Sequence, residues 1–398
     1  ESRDGGITFR KPNVGKYEYN GTKNNNIVFA REKFLDNFSI FYDTNPNCPK
    51  EEKFKALSEV NLGSNGGTKL IYYASEDGYD FKEQYVLDVK GTFDTYNVVL
   101  WDETTKQYFL YYRAFHTPAG EDVLSWKTYK KDCLRDIRVA TSKDFKTWNI
   151  HGRISFEEGQ AEYQLYTNQI TRYYRTDDTF IGFPVRYYDR DAEKRNFHFM
   201  PLGDRHANIT EVFGREGTAV TDCVIMTSSD GFIFNRRDEA FMTPGVEARD
   251  NWWYGNCYMA YGLAETEAEE DGAPNEISFY MGENYRIKNV NFRRFSIRMD
   301  GFFSWFAPYR GGEVLTKPIT VDGNALHINF ATSALGGIEI ALFDEDVKEL
   351  EGYCSYMMFG NSIDRPVEFE KPLEDLCGKQ VRLKIKMKDA HLYSFVFL

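Results

Sequence analysis

The sequence has no C-x-x-C pair, no long apolar run, almost no helical periodicity and no excess of basic residues. Its six cysteines (Cys48, Cys133, Cys223, Cys257, Cys354 and Cys377) are scattered. That spacing argues against a zinc site, and a chain of 398 residues needs no disulfide framework. Buried free thiols are therefore expected. No apolar stretch approaches the ~18 residues of a membrane span, so none is expected. The net charge of −12 argues against nucleic acid, because a phosphate backbone needs a basic footprint. A neutral, sugar-like ligand fits better. Only "KEEKFKALSEV", residues 50–60, reads as a short helix, and it could equally lead into a strand. The chain opens on Glu1 with no signal peptide, which suggests processing or truncation.

What is present is aromatic and β-forming. Phe, Tyr and Trp make up 16% of the residues, with 27 Tyr and 32 Phe, a composition that favours strands. "TYNVVLWDE", "KQYFLYYRAF", "RDIRVATS", "TFIGFPVRYY", "DCVIMTS", "EISFYMGENY" and "FRRFSIRMD" are short runs bounded by turn residues. One phrase recurs: "ESRDGGITF", "ASEDGYDF", "TSKDFKTW", "TSSDGFIF" and "IRMDGFFSW". Its anchors, Asp4, Asp77, Asp144, Asp230 and Asp300, are spaced by 73, 67, 86 and 70 residues.

About three strands lie between successive copies, which is the pattern of a propeller with enlarged blades. The Asp and Gly are expected to close a tight turn. The aromatic beyond (Phe81, Trp148, Phe234, Trp305) should pack between sheets. Four full units and an opening fragment predict five blades over residues 1–310, the first incomplete at the N-terminus, with residues 1–15 paired to an outer strand. Residues 311–398 alternate in period two and read as a β-sandwich. The fold class is thus all-β: a five-bladed β-propeller followed by a C-terminal β-sandwich.

Chemistry in a propeller gathers where the innermost strands begin. The leading segments are "DNFSIFYDTNP", "GTFDTYNVVLWDE", "AEYQLYTNQI" and "RDNWWYGNCYMAYG". They bring Asp36 or Asp43, then Asp94, then Glu162 to one rim. Converging carboxylates suit glycoside hydrolysis: one attacks or activates water, another protonates the leaving oxygen. Asp43 is the candidate nucleophile or base, Asp94 the charge stabiliser and Glu162 the general acid. Asn97, Arg113, Asn168, Arg186, Trp252 and Trp253 form the candidate substrate-binding set. The two arginines end apolar strands, where a charge needs a partner, and the tryptophans can stack on sugar faces. His116 and His206 lack metal-ligand spacing and read as loop residues; no metal or cofactor is expected.

"FDTYNVVLWDETTKQYFLYYR", "FYDTNP", "LYTNQI", "MTSSDGFIF" and "MDGFFSW" resemble the five-bladed propeller glycosidases, the invertase/levanase and arabinanase/xylosidase clan, and among them uncharacterised bacterial family 32-like glycosyl hydrolases. That resemblance implies an acid from the first blade, an Asp from the second and a Glu from the third. It also implies a carbohydrate substrate and a periplasmic or extracellular bacterial setting. The invertase signatures N-D-P-N-G, R-D-P and E-C are absent. The expected activity is an exo-acting glycoside hydrolase on plant or microbial glycans. A non-catalytic carbohydrate-binding propeller is the alternative, and a sialidase-like propeller a lesser one.

Overall fold

The computed structural model describes residues 1–31, 35–61, 68–190, 219–246, 254–285 and 290–398. They are almost entirely strand and turn. Among the described residues the helical content is two 3₁₀ turns, Lys50–Glu52 and Leu373–Leu376. The segment that could have been a short helix is thus one such turn leading into a strand. Among the described residues no helix is long and apolar enough to cross a membrane.

Four consecutive antiparallel meanders open the chain. The first is β1 (Asp36–Tyr42), β2 (Phe54–Asn61), β3 (Thr68–Ser75) and β4 (Lys82–Val86), paired in that order. The second is β5 (Val98–Asp102), β6 (Gln107–His116), β8 (Leu134–Ser142) and β9 (Asn149–Arg153), with β7 (Asp122–Val123) beside the end of β6.

In the third, each long strand is broken: β11 (Gln164–Leu165) and β12 (Thr171–Arg172), β13 (Phe180–Gly182) and β14 (Val185–Tyr188), β15 (Val220–Cys223) and β16 (Met226–Ser228). β17 (Ile233–Arg236) follows on the outside, with β10 (Ser155–Phe156) parallel to it. The fourth contains β18 (Tyr258–Met259), β19 (Ala264–Thr266), β20 (Glu276–Glu283) and β21 (Asn291–Arg298).

Alternation along β6 shows why these sheets stack face to face. Tyr108, Leu110 and Tyr112 pack with Leu57, Leu70 and Tyr72 of the first sheet. Phe109 and Tyr111 pack with Ile170, Phe180 and Phe234 of the third. A strand covered on both faces reads as an unbroken apolar run, which is what "QYFLYY" is. Successive small sheets packed on each other are how propeller blades associate.

Four of the five repeated phrases fold into the same turn. Ser75, Ser142 and Ser228 donate to Asp77, Asp144 and Asp230 at 2.9, 3.0 and 2.9 Å. Each of those carboxylates then accepts two backbone N–H groups at 2.8–2.9 Å. Ser2 and Asp4 repeat the arrangement at 2.8 Å. Backbone donors hold Asp77 and Asp144 below the usual carboxylate range. Gly231 needs φ of +78° here, and a Cβ would strike the hydroxyl of Tyr111. In the third copy Phe145 takes this left-handed position, and its ring fills the core against Tyr72 and Tyr108 at 4.6 and 5.1 Å.

The fifth copy departs from the others. Arg298 stands where they carry serine, so the hydroxyl that ties the turn is missing. Its guanidinium instead binds Asn329 Oδ1 at 2.8 and 3.0 Å, and Asp300 accepts from Ser394 at 2.6 Å. Phe81 and Phe234 are buried as expected, and Trp148 packs on Phe145. Trp305 is instead 42% exposed, on a strand paired with Leu392. The expected ladder for residues 1–15 is also not found. Their turn rests on Tyr280, whose hydroxyl donates to the Gly5 carbonyl.

The described chain divides into two compact units, Glu1–Gly262 with Phe279–Phe295, and Leu263–Ser278 with Ser296–Leu398. The second contains a seven-stranded sheet built on two 18-residue strands, β25 (Leu326–Phe343) and β28 (Gln380–Phe397). β22 (Trp305–Ala307), β23 (Gly312–Leu315) and β24 (Ile319–Thr320) pair with β28. β26 (Glu349–Cys354) and β27 (Asn361–Pro366) pair with β25. Period-two side chains, among them Ile328, Phe330, Ile338, Ile340, Leu383 and Ile385, make a core of its own. Cys48, Cys133, Cys223 and Cys257 are buried free thiols, while Cys354 and Cys377 are exposed.

Candidate active site

The site grows from the first-strand starts of the first two sheets. Asp36 begins β1 and pairs in register with Glu59 of β2. Asp94 precedes β5 and lies 3.2 Å from Arg113 Nη2, near the far end of β6. Arg113 is buried, donates from Nε to the Thr92 carbonyl at 3.1 Å, and stacks over Tyr166 at 5.0 Å. Burial works against its charge, but Tyr166 and Asp94 beside it outweigh that and hold it more firmly protonated. Thr95, next to Asp94, donates to the Tyr166 carbonyl at 3.0 Å and so ties the second sheet's start to the third's.

Glu59 is the residue that sequence reasoning missed. It is 2% exposed, and its Oε2 has no hydrogen-bond partner. Burial pushes its carboxyl up to about 7; Asp94 and Asp36 add to the shift, while Arg113 opposes it. This group binds its proton more tightly folded than unfolded. Its favourable term is complete below the ordinary value of 4.5 and is lost as pH rises through about 7.

Glu59→Gln is therefore expected to raise stability at about pH 8, by up to ~3 kcal/mol, and to leave it unchanged at about pH 4. Urea midpoints at the two pH values read this directly. Equal midpoints for the variant and the parent at the higher pH would contradict it.

Glu162, just before β11, is exposed and touches the end of β6. Its Oε1 lies 2.6 Å from His116 Nε2, and His116 Nδ1 lies 3.0 Å from Asp136 Oδ2. Arg138 holds Asp136 through Nε and Nη2, both at 3.0 Å. His116 is thus buried at a strand end between two carboxylates, not in a loop. Its partners come from β8 and from the segment before β11, which no local pattern announces.

The other expected residues are placed as follows. Asp43 follows β1 and is fully buried, bonded to Tyr108 at 2.7 Å and 3.3 Å from Lys55. Seven residues of strand separate it from Asp36, about 20 Å. It therefore does not join Asp94, and of the two first-segment acids Asp36 does. Arg186 is engaged by Asp222 at 2.9 and 2.7 Å and does not meet a rim acid.

Asn97 is buried and donates to the Phe93 and Thr95 carbonyls, both at 2.9 Å, shaping the turn that carries Asp94. Asn168 is buried against the Tyr111 carbonyl at 3.4 Å. Trp252, Trp253 and His206 lie outside the described residues. Among the described residues, no three His, Cys, Asp or Glu side chains are grouped as a metal site would need.

No family model matches the chain, and no curated protein matches it. Solved structures do. The chain resembles glycoside hydrolases of families 43 and 32. A family 43 arabinoxylan arabinofuranohydrolase from Bacillus subtilis shares 10% identity, covering 92% of this chain and 67% of that one, with a TM-score of 0.30. A family 32 β-fructofuranosidase from Bombyx mori shares 8%, covering 92% and 91%, with a TM-score of 0.31. A candidate glycoside hydrolase from Parabacteroides distasonis shares 11% over 63% of this chain, with a TM-score of 0.37; the match spans 62% of that protein's length. Likeness at this level says nothing about which residues act.

Proposed function

We propose that this chain is a glycoside hydrolase, exo-acting on plant or microbial glycans, built as a five-bladed propeller with a β-sandwich. The observation that carries the reading is the acid at the start of each of three successive sheets. Asp36 and Asp94 lie with the proton-holding Glu59, and Glu162 reaches the same end of β6. Asp36 serves as nucleophile or base. Asp94, oriented by Arg113, stabilises the oxocarbenium-like charge, and Glu162 protonates the leaving oxygen. Glu59, whose carboxyl burial raises to about 7, carries its proton below that pH and there lets the two anions stay close without a third charge.

A sialidase would need three arginines open to a substrate carboxylate. Arg113, Arg138 and Arg186 are instead each engaged by an Asp of the chain. A panel of aryl furanosides and pyranosides tests the proposal: release of the phenol by the purified chain is expected for at least one sugar. Binding of sugars by calorimetry without hydrolysis of any member would favour the non-catalytic, carbohydrate-binding reading.

A further inference from the structure

His116 sits between two hydrogen-bond acceptors. Asp136 Oδ2 faces Nδ1 at 3.0 Å and Glu162 Oε1 faces Nε2 at 2.6 Å. Two such bonds require two protons, and a neutral imidazole carries one. The surplus proton cannot settle on Asp136, whose oxygens already accept from Arg138 at 3.0 Å each. Arg138 is itself buried and pinned by Asp122 at 2.9 Å.

The surplus proton is thus held between His116 Nε2 and Glu162 Oε1. The His116 and Asp136 side chains are 4% and 7% exposed, whereas Glu162 is 60% exposed. One end of the array is sealed and the other opens outward. The only other charged group near Glu162 Oε1 among the described ion pairs is Arg153, at 3.8 Å.

We propose that Asp136, His116 and Glu162 form a proton-holding array in which His116, as a positioning residue, keeps Glu162 charged with the proton it donates. The inference rests on the hydrolase reading above. When the glycosidic C–O bond breaks, the leaving oxygen keeps the electron pair and takes the proton from Glu162 Oε1. The array then holds one proton, the Nδ1–H directed at Asp136, and Glu162 is a carboxylate. The water that replaces the leaving group at the anomeric carbon releases a proton, which restores the array.

The test uses the whole chain and aryl glycosides of one sugar that differ in leaving phenol. His116→Gln should lose ~10²-fold in kcat on a phenyl glycoside, whose leaving oxygen needs a proton, yet stay within about threefold on the dinitrophenyl glycoside. Equal losses on both would mark His116 as merely structural and overturn the proposal.

A second readout does not depend on turnover. Proton NMR at neutral pH should show two downfield signals, the His116 Nδ1–H and the proton shared by His116 Nε2 and Glu162 Oε1, the first lost in Asp136→Asn and the second in Glu162→Gln. Only one signal, in an active wild type, overturns the array alone. Both signals in a chain that hydrolyses no glycoside overturn the hydrolase reading and, with it, the donor step.

Discussion

Asp94→Asn should leave the fold intact and cut turnover by about 10²-fold or more, the scale for losing one preorganised electrostatic partner. The substitution keeps the size and one acceptor, so Arg113 loses a full counter-charge but not its shape complement. Asp94 is nearly half exposed but Arg113 is buried, so the variant also lowers stability and its turnover is corrected for the folded fraction. The loss should fall on kcat, since a charge that matters only as the oxocarbenium ion develops contributes little to ground-state binding. Steady-state kinetics on the best substrate of the aryl panel measure this. A variant with raised KM and unchanged kcat would make Asp94 a binding group and not a catalytic one.

The largest stability effect is expected at the opposite end of the first sheet. Lys55 Nζ and Asp43 are 1% and 0% exposed and 3.3 Å apart. Glu52 and Tyr72 also hold the ammonium, both at 3.1 Å, and Asn45 N–H donates to Asp43 at 2.9 Å. Removing Lys55 strands the Asp43 charge in the interior, so Lys55→Met should cost about 3–5 kcal/mol, and Asp43→Ala less, because Glu52 still pairs the ammonium. The double variant should cost less than the sum of the two, because no unpaired charge remains. Denaturant unfolding of the four proteins closes the cycle. Strict additivity would mean that the pair is not coupled.

Much of the scaffold was legible because repetition is written locally. The Asp-Gly phrase announced its turn, since the groups that close it lie within five residues. The fifth copy was misread because Arg298 in place of serine was passed over in favour of the Asp, Gly and aromatic pattern. Asp43 was preferred to Asp36 because both flank one strand. Only the pairing of β1 with β2, and the bond from Tyr108, reveals which end meets Asp94. Glu59 sits in "KEEKFKALSEV", which reads as a short helix, so nothing in that stretch marks it as a buried acid. Two of the charges that act on it, Asp94 and Arg113, come from 35 or more positions away. His116 reads as a loop residue for the same reason: its partners are 20 and 46 residues distant.

The central claim is that the acids at the strand starts, and not the buried acid at the other end of β1, carry the chemistry. Comparing kcat/KM for Asp36→Asn and Asp43→Asn on the same aryl glycoside, each corrected for its folded fraction, tests it most directly. Asp36→Asn should fall by ~10³-fold or more, as expected for a nucleophile or base. Folded Asp43→Asn should keep most of its activity while unfolding at lower denaturant. Loss of turnover in folded Asp43→Asn, with Asp36→Asn still active, would contradict the account.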